Sequence, residues 1–263
     1  MVIELYQFEI SQYAEKVRLI LDYKGLPYKK IEVTPGVGQL EVFKMSGQRR
    51  VPVLKDGAIV IADSTAIAFY LDKQYPEKPL IPTDPKQKGL CLMMEEWADE
   101  SIGVKSRKVL YGALTQNQNF RTSVLPSTTP DFVKSFLNSV PSEVFDVLGS
   151  GIGLGSDAIK EAQDALKQDL EALCLILSQS PYLTGDQITL ADLTVASLSI
   201  LLKYPEGNYI NVHESLRGKG IPGIADNSDY DIFFSWRDRI YQQYRQPLGV
   251  STTDPSPNRI EID

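Results

Sequence analysis

Arg50-Val51-Pro52-Val53-Leu54, with Asp63-Ser64 eleven residues beyond the proline, is the stretch on which the fold turns. A proline at the head of a β-rich run cannot donate to a sheet ladder and suits an edge, a bulge or a turn. A cis Val51-Pro52 bond would turn the chain sharply and leave the backbone N–H and C=O of Val51 free to pair with an extended, peptide-like ligand. Asp63-Ser64, at the start of the next helical pattern, would offer a carboxylate, a hydroxyl and unpaired backbone N–H groups to that ligand's charged end.

Working outward, residues 2–8 alternate as a strand should, and Ser11 precedes a helical pattern through Val17, Ile20, Leu21 and Tyr23 that Gly25 ends. Residues 28–33 read as a second strand, and Pro35-Gly36-Val37-Gly38 opens a looser, helix-compatible stretch to about Lys44. Val53-Leu54-Lys55, turning at Asp56-Gly57 into Ala58-Ile59-Val60-Ile61, is a hairpin signal, and a helix from Ser64 to about Gln74 follows. The order β-α-β-α-β-β-α, with a right-handed crossover between the parallel strands, is that of a thioredoxin-like domain.

Residues 77–83, inside a stretch holding three prolines, form a linker that separates a domain at 1–76 from one at 84–263. Beyond it the pattern is helical: Leu90, Met94, Trp97 and Val104 share one face, and Ile159, Ala162, Leu166, Leu170, Leu173 and Leu177 recur at three and four. These stripes read as core. A long insertion near 112–157 holds polar loop material, an apolar helix candidate around 131–148 and a glycine-rich run at 149–155. No strand–turn–helix unit surrounds those glycines, so they read as a hinge or loop and not as a dinucleotide fingerprint. Thr189 and Asp192 have capping-box spacing, with Ile188 and Leu193 placed as a hydrophobic staple. Phe233, Trp236, Ile240 and Tyr244 suggest a final helix, and the tail after Pro247 reads as mobile.

Composition narrows the chemistry. The 263 residues are 43% hydrophobic and 23% charged, enough for a sizeable core in one or two domains. A formal charge of −7, without a basic stripe, argues against nucleic acid as a partner. Cys91 and Cys174 lie far apart inside apolar helical patterns and read as buried structural thiols of a reducing compartment. The start Met1-Val2-Ile3-Glu4 enters a strand directly, and no apolar run reaches the ~20 residues a membrane span needs, so the expectation is a cytoplasmic protein off the membrane. One histidine, His213, reads as a solvated loop residue; it leaves little for a metal site or a His-based triad.

On these residues the chain resembles the glutathione S-transferase superfamily over both domains, with residues 3–75 most specific and residues 181–197 next. The N-terminal part, Leu5-Tyr6-Gln7-Phe8 through Lys16-Val17-Arg18 and on to Gly25-Leu26-Pro27-Tyr28, is also similar to the glutaredoxin-like part of prostaglandin E synthase type 2 proteins. Thr184-Gly185-Asp186 leading to Ala191-Asp192 resembles the capping motif of the family's helical domain. The resemblance implies an α/β thioredoxin-like N-terminal domain that binds glutathione, an all-α C-terminal domain that supplies the electrophile pocket, and a homodimer. It also implies a cytoplasmic role in detoxification and stress response. Carried residue by residue, Val51 would pair its backbone with the cysteinyl part of glutathione and Pro52 would be the cis-proline. Asp63 and Ser64 would hold the γ-glutamyl end, Asp63 standing where many relatives have Glu or Gln. Arg50 would sit near the glycyl carboxylate, and Tyr13 could line the glutathione groove.

Where glutaredoxin-like and omega-like relatives open the first helix with Cys-Pro-Tyr/Phe-Cys, this chain reads Ser11-Gln12-Tyr13-Ala14. With no local thiolate to attack a disulfide, an enzyme mixed disulfide is disfavoured. Glutathione brings its own nucleophile, so the protein's task is to ionise a thiol of ordinary pKa ~8.5. Lowering it by about two units takes ~2.7 kcal/mol; a hydrogen bond to a charged group supplies roughly 1.5–3 and a helix N-terminus ~0.3–1. Ser11 is the candidate donor, although a plain N-cap accounts for the same serine. Tyr6 is the alternative donor, although a strand tyrosine more often packs in its sheet. The expected activity is conjugation of glutathione to small hydrophobic electrophiles, with peroxide reduction or isomerisation open to the same thiolate; a non-catalytic glutathione-binding scaffold is the alternative.

Overall fold

The structure, a computed structural model, describes residues 2–34, 37–117, 120–121 and 154–249. Strands β1 (Ile3–Gln7), β2 (Tyr28–Glu32), β3 (Val53–Asp56) and β4 (Ile59–Ala62) form one sheet in the order β2-β1-β3-β4. β1 runs parallel to β2, with Ile3 beside Tyr28, and antiparallel to β3, with Tyr6 beside Val53. Helices α1 (Gln12–Lys24), α2 (Val37–Ser46) and α3 (Ser64–Gln74) complete the β-α-β-α-β-β-α order. This is the thioredoxin-like arrangement expected from the sequence.

Local chemistry sets the boundaries. Ser11 caps α1, its Oγ accepting the N–H of Ala14, and Gly25 ends the helix at φ 71°, a left-handed conformation that costs glycine nothing. The hairpin differs by one residue from the sequence expectation. Asp56 pairs with Ile59, so the two-residue turn is Gly57-Ala58, with Gly57 supplying the positive φ (62°) that such a turn needs at its first position.

The second part is helical, as expected: α4 (Pro85–Glu100), α5 (Ile102–Gln116), α6 (Ser156–Leu177), α7 (Leu190–Leu198) and α8 (Asp231–Tyr244). Every residue of α7 is buried, which places it at the centre, packed against α1 and α4. The expected box forms at its start. Asp192 Oδ2 accepts from Thr189 N–H at 2.8 Å, and Oδ1 reaches back to Leu183 N–H at 2.8 Å. On α4 the fully buried positions are Cys91, Glu95 and Ala98, while Leu90, Met94 and Trp97 are half-buried. That stripe therefore borders the core and does not fill it, and the helix breaks at Ser101 before Val104. Cys174 is also only half-buried, unlike Cys91. His213 is exposed, as expected.

The proline-rich stretch is tied down. Leu80 is buried, its carbonyl accepts from Leu190 N–H at 2.8 Å, and Lys24 Nζ donates to the carbonyls of Tyr75 and Lys78. Two buried ionic clusters join the sheet-bearing part to the helices. Arg245, just past α8, donates to Glu15 at 2.9 Å and Asp22 at 2.6 Å on α1. Lys16 of α1 meets Glu95 at 2.5 Å and Asp99 at 2.9 Å on α4. The helix candidate at 131–148, most of the 112–157 insertion, the glycines at 149–153 and the tail from 250 lie outside the described residues.

Candidate functional site

A cleft of about 550 Å³ opens between the two parts of the molecule, and seven of the eight candidate site residues converge on it. Ser11, Tyr13, Arg50, Val51, Pro52, Asp63 and Ser64 all line its walls. They come from three places in the chain: the loop and first turn of α1, the loop before β3, and the start of α3. The sheet order explains the convergence. β1 and β3 are neighbours, so the end of β1 and the start of β3 lie side by side, and β4 returns the chain to the same end at Asp63.

The Val51–Pro52 bond is cis. Val51 lies outside the β3 ladder, and neither its N–H nor its C=O has a hydrogen-bond partner among the described residues. An edge of backbone thus faces the cleft with one donor and one acceptor to give. At the N-terminus of α3, Asp63 sits at φ 83° and its Oδ1 accepts from Thr65 and Ala66 N–H, both at 3.0 Å. That positive φ is rare for a residue with a side chain and marks a place where the surrounding structure imposes it. Ser64, next along, is only 3% exposed, and its N–H is unpaired among the described residues. The start of α3 therefore presents a carboxylate and a free donor side by side, in the positive field of a helix end.

Ser11 stands at the equivalent end of α1. Its Oγ accepts from Ala14 N–H at 3.3 Å, which uses one lone pair and leaves the hydroxyl proton to be donated. The N–H groups of Gln12 and Tyr13 have no partner among the described residues, so this helix end, too, is set up for negative charge. Tyr13 closes one side. Its hydroxyl donates to the Asp99 carbonyl at 2.9 Å, and burial pushes its phenol pKa above the usual value.

Tyr6, the alternative donor, is not brought to the cleft. On β1 the residues alternate, Ile3, Leu5 and Gln7 turning toward the buried face while Tyr6 turns to the opposite one. There it packs with Val33, Val42 and Val53 beneath α2, its hydroxyl 3.4 Å from Glu4, and burial followed by the Glu4 charge raises its pKa. Strand alternation thus separates it from Ser11.

Sequence reasoning missed the helical wall: Asp99 and Glu100 at the end of α4, Val104 and Arg107 on α5, and Leu201 beyond α7. Asp99 is held by Lys16 and by Thr65 Oγ1 at 3.0 Å; burial raises its pKa against the pull of Lys16. Arg49 and Gln39 join Arg50 on the opposite side. Among the described residues no cluster of three His, Cys, Asp or Glu side chains has the geometry of a metal centre, and no helix is long and apolar enough to cross a membrane.

The comparisons with known proteins bear on the family and the fold. A family model for the glutathione S-transferase N-terminal domain matches residues 5–79, and one for the C-terminal domain matches residues 150–207. Glutathione S-transferase 1 of Dianthus caryophyllus is 30% identical over 199 residues, 73% of this chain and 74% of its own length. The chain belongs to the glutathione S-transferase family. Glutathione S-transferase Z1 of Arabidopsis thaliana is 42% identical over 85 residues, 31% of this chain and 38% of its own. Among solved structures, the β-etherase LigF of Sphingobium sp. strain SYK-6 matches with a TM-score of 0.65 at 21% identity, over 92% of this chain and 95% of its own. At that identity the likeness speaks for the transferase fold alone. It covers the thioredoxin-like sheet and the helical part together.

Proposed function

We propose that this chain is a glutathione transferase that ionises the glutathione thiol beside Ser11 and conjugates it to small hydrophobic electrophiles. One observation carries the reading: the free backbone of Val51, the hydroxyl of Ser11 and the α3 start at Asp63-Ser64 face a single cleft. Their donor set fits the tripeptide. Ser64 N–H and the α3 end take the γ-glutamyl carboxylate, and the Asp63 carboxylate takes its ammonium. Val51 N–H and C=O pair with the cysteinyl backbone, and Arg50 with Arg49 takes the glycyl carboxylate.

With the tripeptide so held, its sulfur lies at the α1 N-terminus, where the Ser11 proton and the unpaired N–H groups favour the anion. The thiol proton passes to solvent. The thiolate then forms a carbon–sulfur bond, and the electrophile's leaving group departs with its bonding pair. Val104 and Leu201 give the acceptor an apolar surface. Peroxide reduction and isomerisation draw on the same anion and are further reactions of this site.

The family resemblance supports a cytoplasmic homodimer with a role in detoxification. Met93 on α4, 62% exposed, and Phe69 on α3, 40% exposed, are large apolar side chains for a second copy to cover. Sedimentation that finds only monomer removes the dimer. For the activity, the test is turnover of chlorodinitrobenzene with glutathione, together with calorimetry of glutathione alone. Turnover with a glutathione-dependent rate is expected. Binding without turnover across several electrophiles would favour the scaffold reading, and no heat of binding at millimolar tripeptide would overturn both.

A further inference from the structure

Arg107 is a cation of the cleft to which the transferase reading assigns no part of glutathione. Its guanidinium carbon lies 5.4 Å from the centroid of the Tyr13 ring, and its Nε donates to the Gly103 carbonyl at 3.0 Å. Gly103 makes that arrangement possible, because a Cβ there would lie 2.4 Å from the Tyr13 hydroxyl oxygen. The side chain is thus anchored at two points. Its two terminal nitrogens have no hydrogen-bond or ion-pair partner among the described residues, and they stand on the same wall as Val104 and Leu201. An arginine fixed by its Nε and stacked on an aromatic face keeps a planar pair of donors suited to a carboxylate.

In the transferase reading, glutathione's charges are met elsewhere, at Ser64, Asp63 and Arg50. We propose that the electrophile taken by this site carries a carboxylate, bound by Arg107, with its apolar body against Val104 and Leu201. The proposal deepens the transferase reading and rests on it. The wall's own carboxylates sharpen the selection. Asp99 is already held by Lys16 and Thr65, whereas Glu100 makes no ion pair among the described residues and so repels an anion whose charge does not reach Arg107.

The test uses two electrophiles with the same reacting carbon, 4-chloro-3,5-dinitrobenzoate and its methyl ester. In each, the glutathione sulfur bonds to the ring carbon and chloride leaves with the bonding pair. Wild-type protein is expected to show a KM for the acid about tenfold below that for the ester. Arg107→Gln should remove that preference, with kcat within about twofold and the KM for glutathione unchanged, and Arg107→Lys should restore part of it. Turnover of both electrophiles without an acid preference would overturn this proposal and leave the transferase reading intact. So would an equal loss on acid and ester in Arg107→Gln, or a raised KM for glutathione, which would give Arg107 to the tripeptide or to packing. Were neither electrophile turned over, the pre-made glutathione conjugates of acid and ester would be titrated directly. A preference for the acid conjugate, lost in Arg107→Gln, would uphold the subsite while the turnover reading fails; equal binding would overturn it.

Discussion

The Lys16 ammonium lies 2.5 Å from a Glu95 carboxylate oxygen, and the two side chains are 0% and 2% exposed. Through this pair α1, which carries Ser11, is locked to α4, which carries Asp99 and Glu100 into the cleft. The site is therefore built across two layers that ionic contacts hold in register. Thr65 Oγ1, bonded to the same Glu95 at 2.6 Å, brings the start of α3 into the lock.

Removing the cation should be costly. Lys16→Met leaves Glu95 and Asp99 buried together without compensation, and a loss of about 3–5 kcal/mol is expected in urea unfolding. Adding Glu95→Leu should return much of it, because a packed apolar pair replaces a broken ionic one. A double variant as unstable as the single one would show that the lock depends on Thr65 and Asp99 and not on the Lys16–Glu95 pair.

Ser11 can be separated into its two roles. Ser11→Gly keeps most of the cap, at a cost of a few tenths of a kcal/mol, while removing the hydroxyl proton. The expected result is an unfolding midpoint near wild type with kcat/KM down by roughly 10–100-fold and the bound thiol's pKa raised. Tyr6→Phe should leave the rate unchanged, since Tyr6 lies on the far face of β1. A variant at Ser11 that loses stability and keeps its rate would leave the serine as a cap only.

The thioredoxin-like half was legible because its punctuation is local. Gly25, Gly57 in the hairpin turn, Pro52 and the Asp63-Ser64 cap each fix backbone geometry within a few residues, so the order of elements along the chain and one wall of the cleft could be read directly, although the turn itself was placed one residue early. The other wall was not, because Asp99, Val104 and Arg107 join it only through the packing of α4 and α5 against α1. Nothing in their local sequence marks them. Val104 read as core, yet the helix break at Ser101 turns it to the cleft. The tilt of Leu90, Met94 and Trp97 away from the centre has the same origin, since an apolar stripe does not say which neighbour it faces.

Asp63 also supports a clean test. Asn at this position keeps an oxygen to accept from Thr65 and Ala66 N–H and loses only the charge. Asp63→Asn should fold with stability within about 0.5 kcal/mol of wild type and bind glutathione roughly tenfold more weakly by calorimetry. Unchanged affinity would take the γ-glutamyl ammonium away from Asp63.

The buried box at α7 predicts a pH dependence of stability. Asp192 is fully buried; burial pushes its carboxyl up to about 6, against the opposing hydrogen bonds from Leu183 and Thr189. A folded value raised above the unfolded one means that the native state binds the extra proton, so this group's stabilisation is complete below about pH 4 and is lost as the pH rises through about 6. Asn cannot titrate. Hence the stability of wild type relative to Asp192→Asn should fall between those limits, by up to about 3 kcal/mol, when urea unfolding is followed at a series of pH values. A relative stability that rises over the same range would mean that the two backbone N–H bonds favour the carboxylate more than burial opposes it.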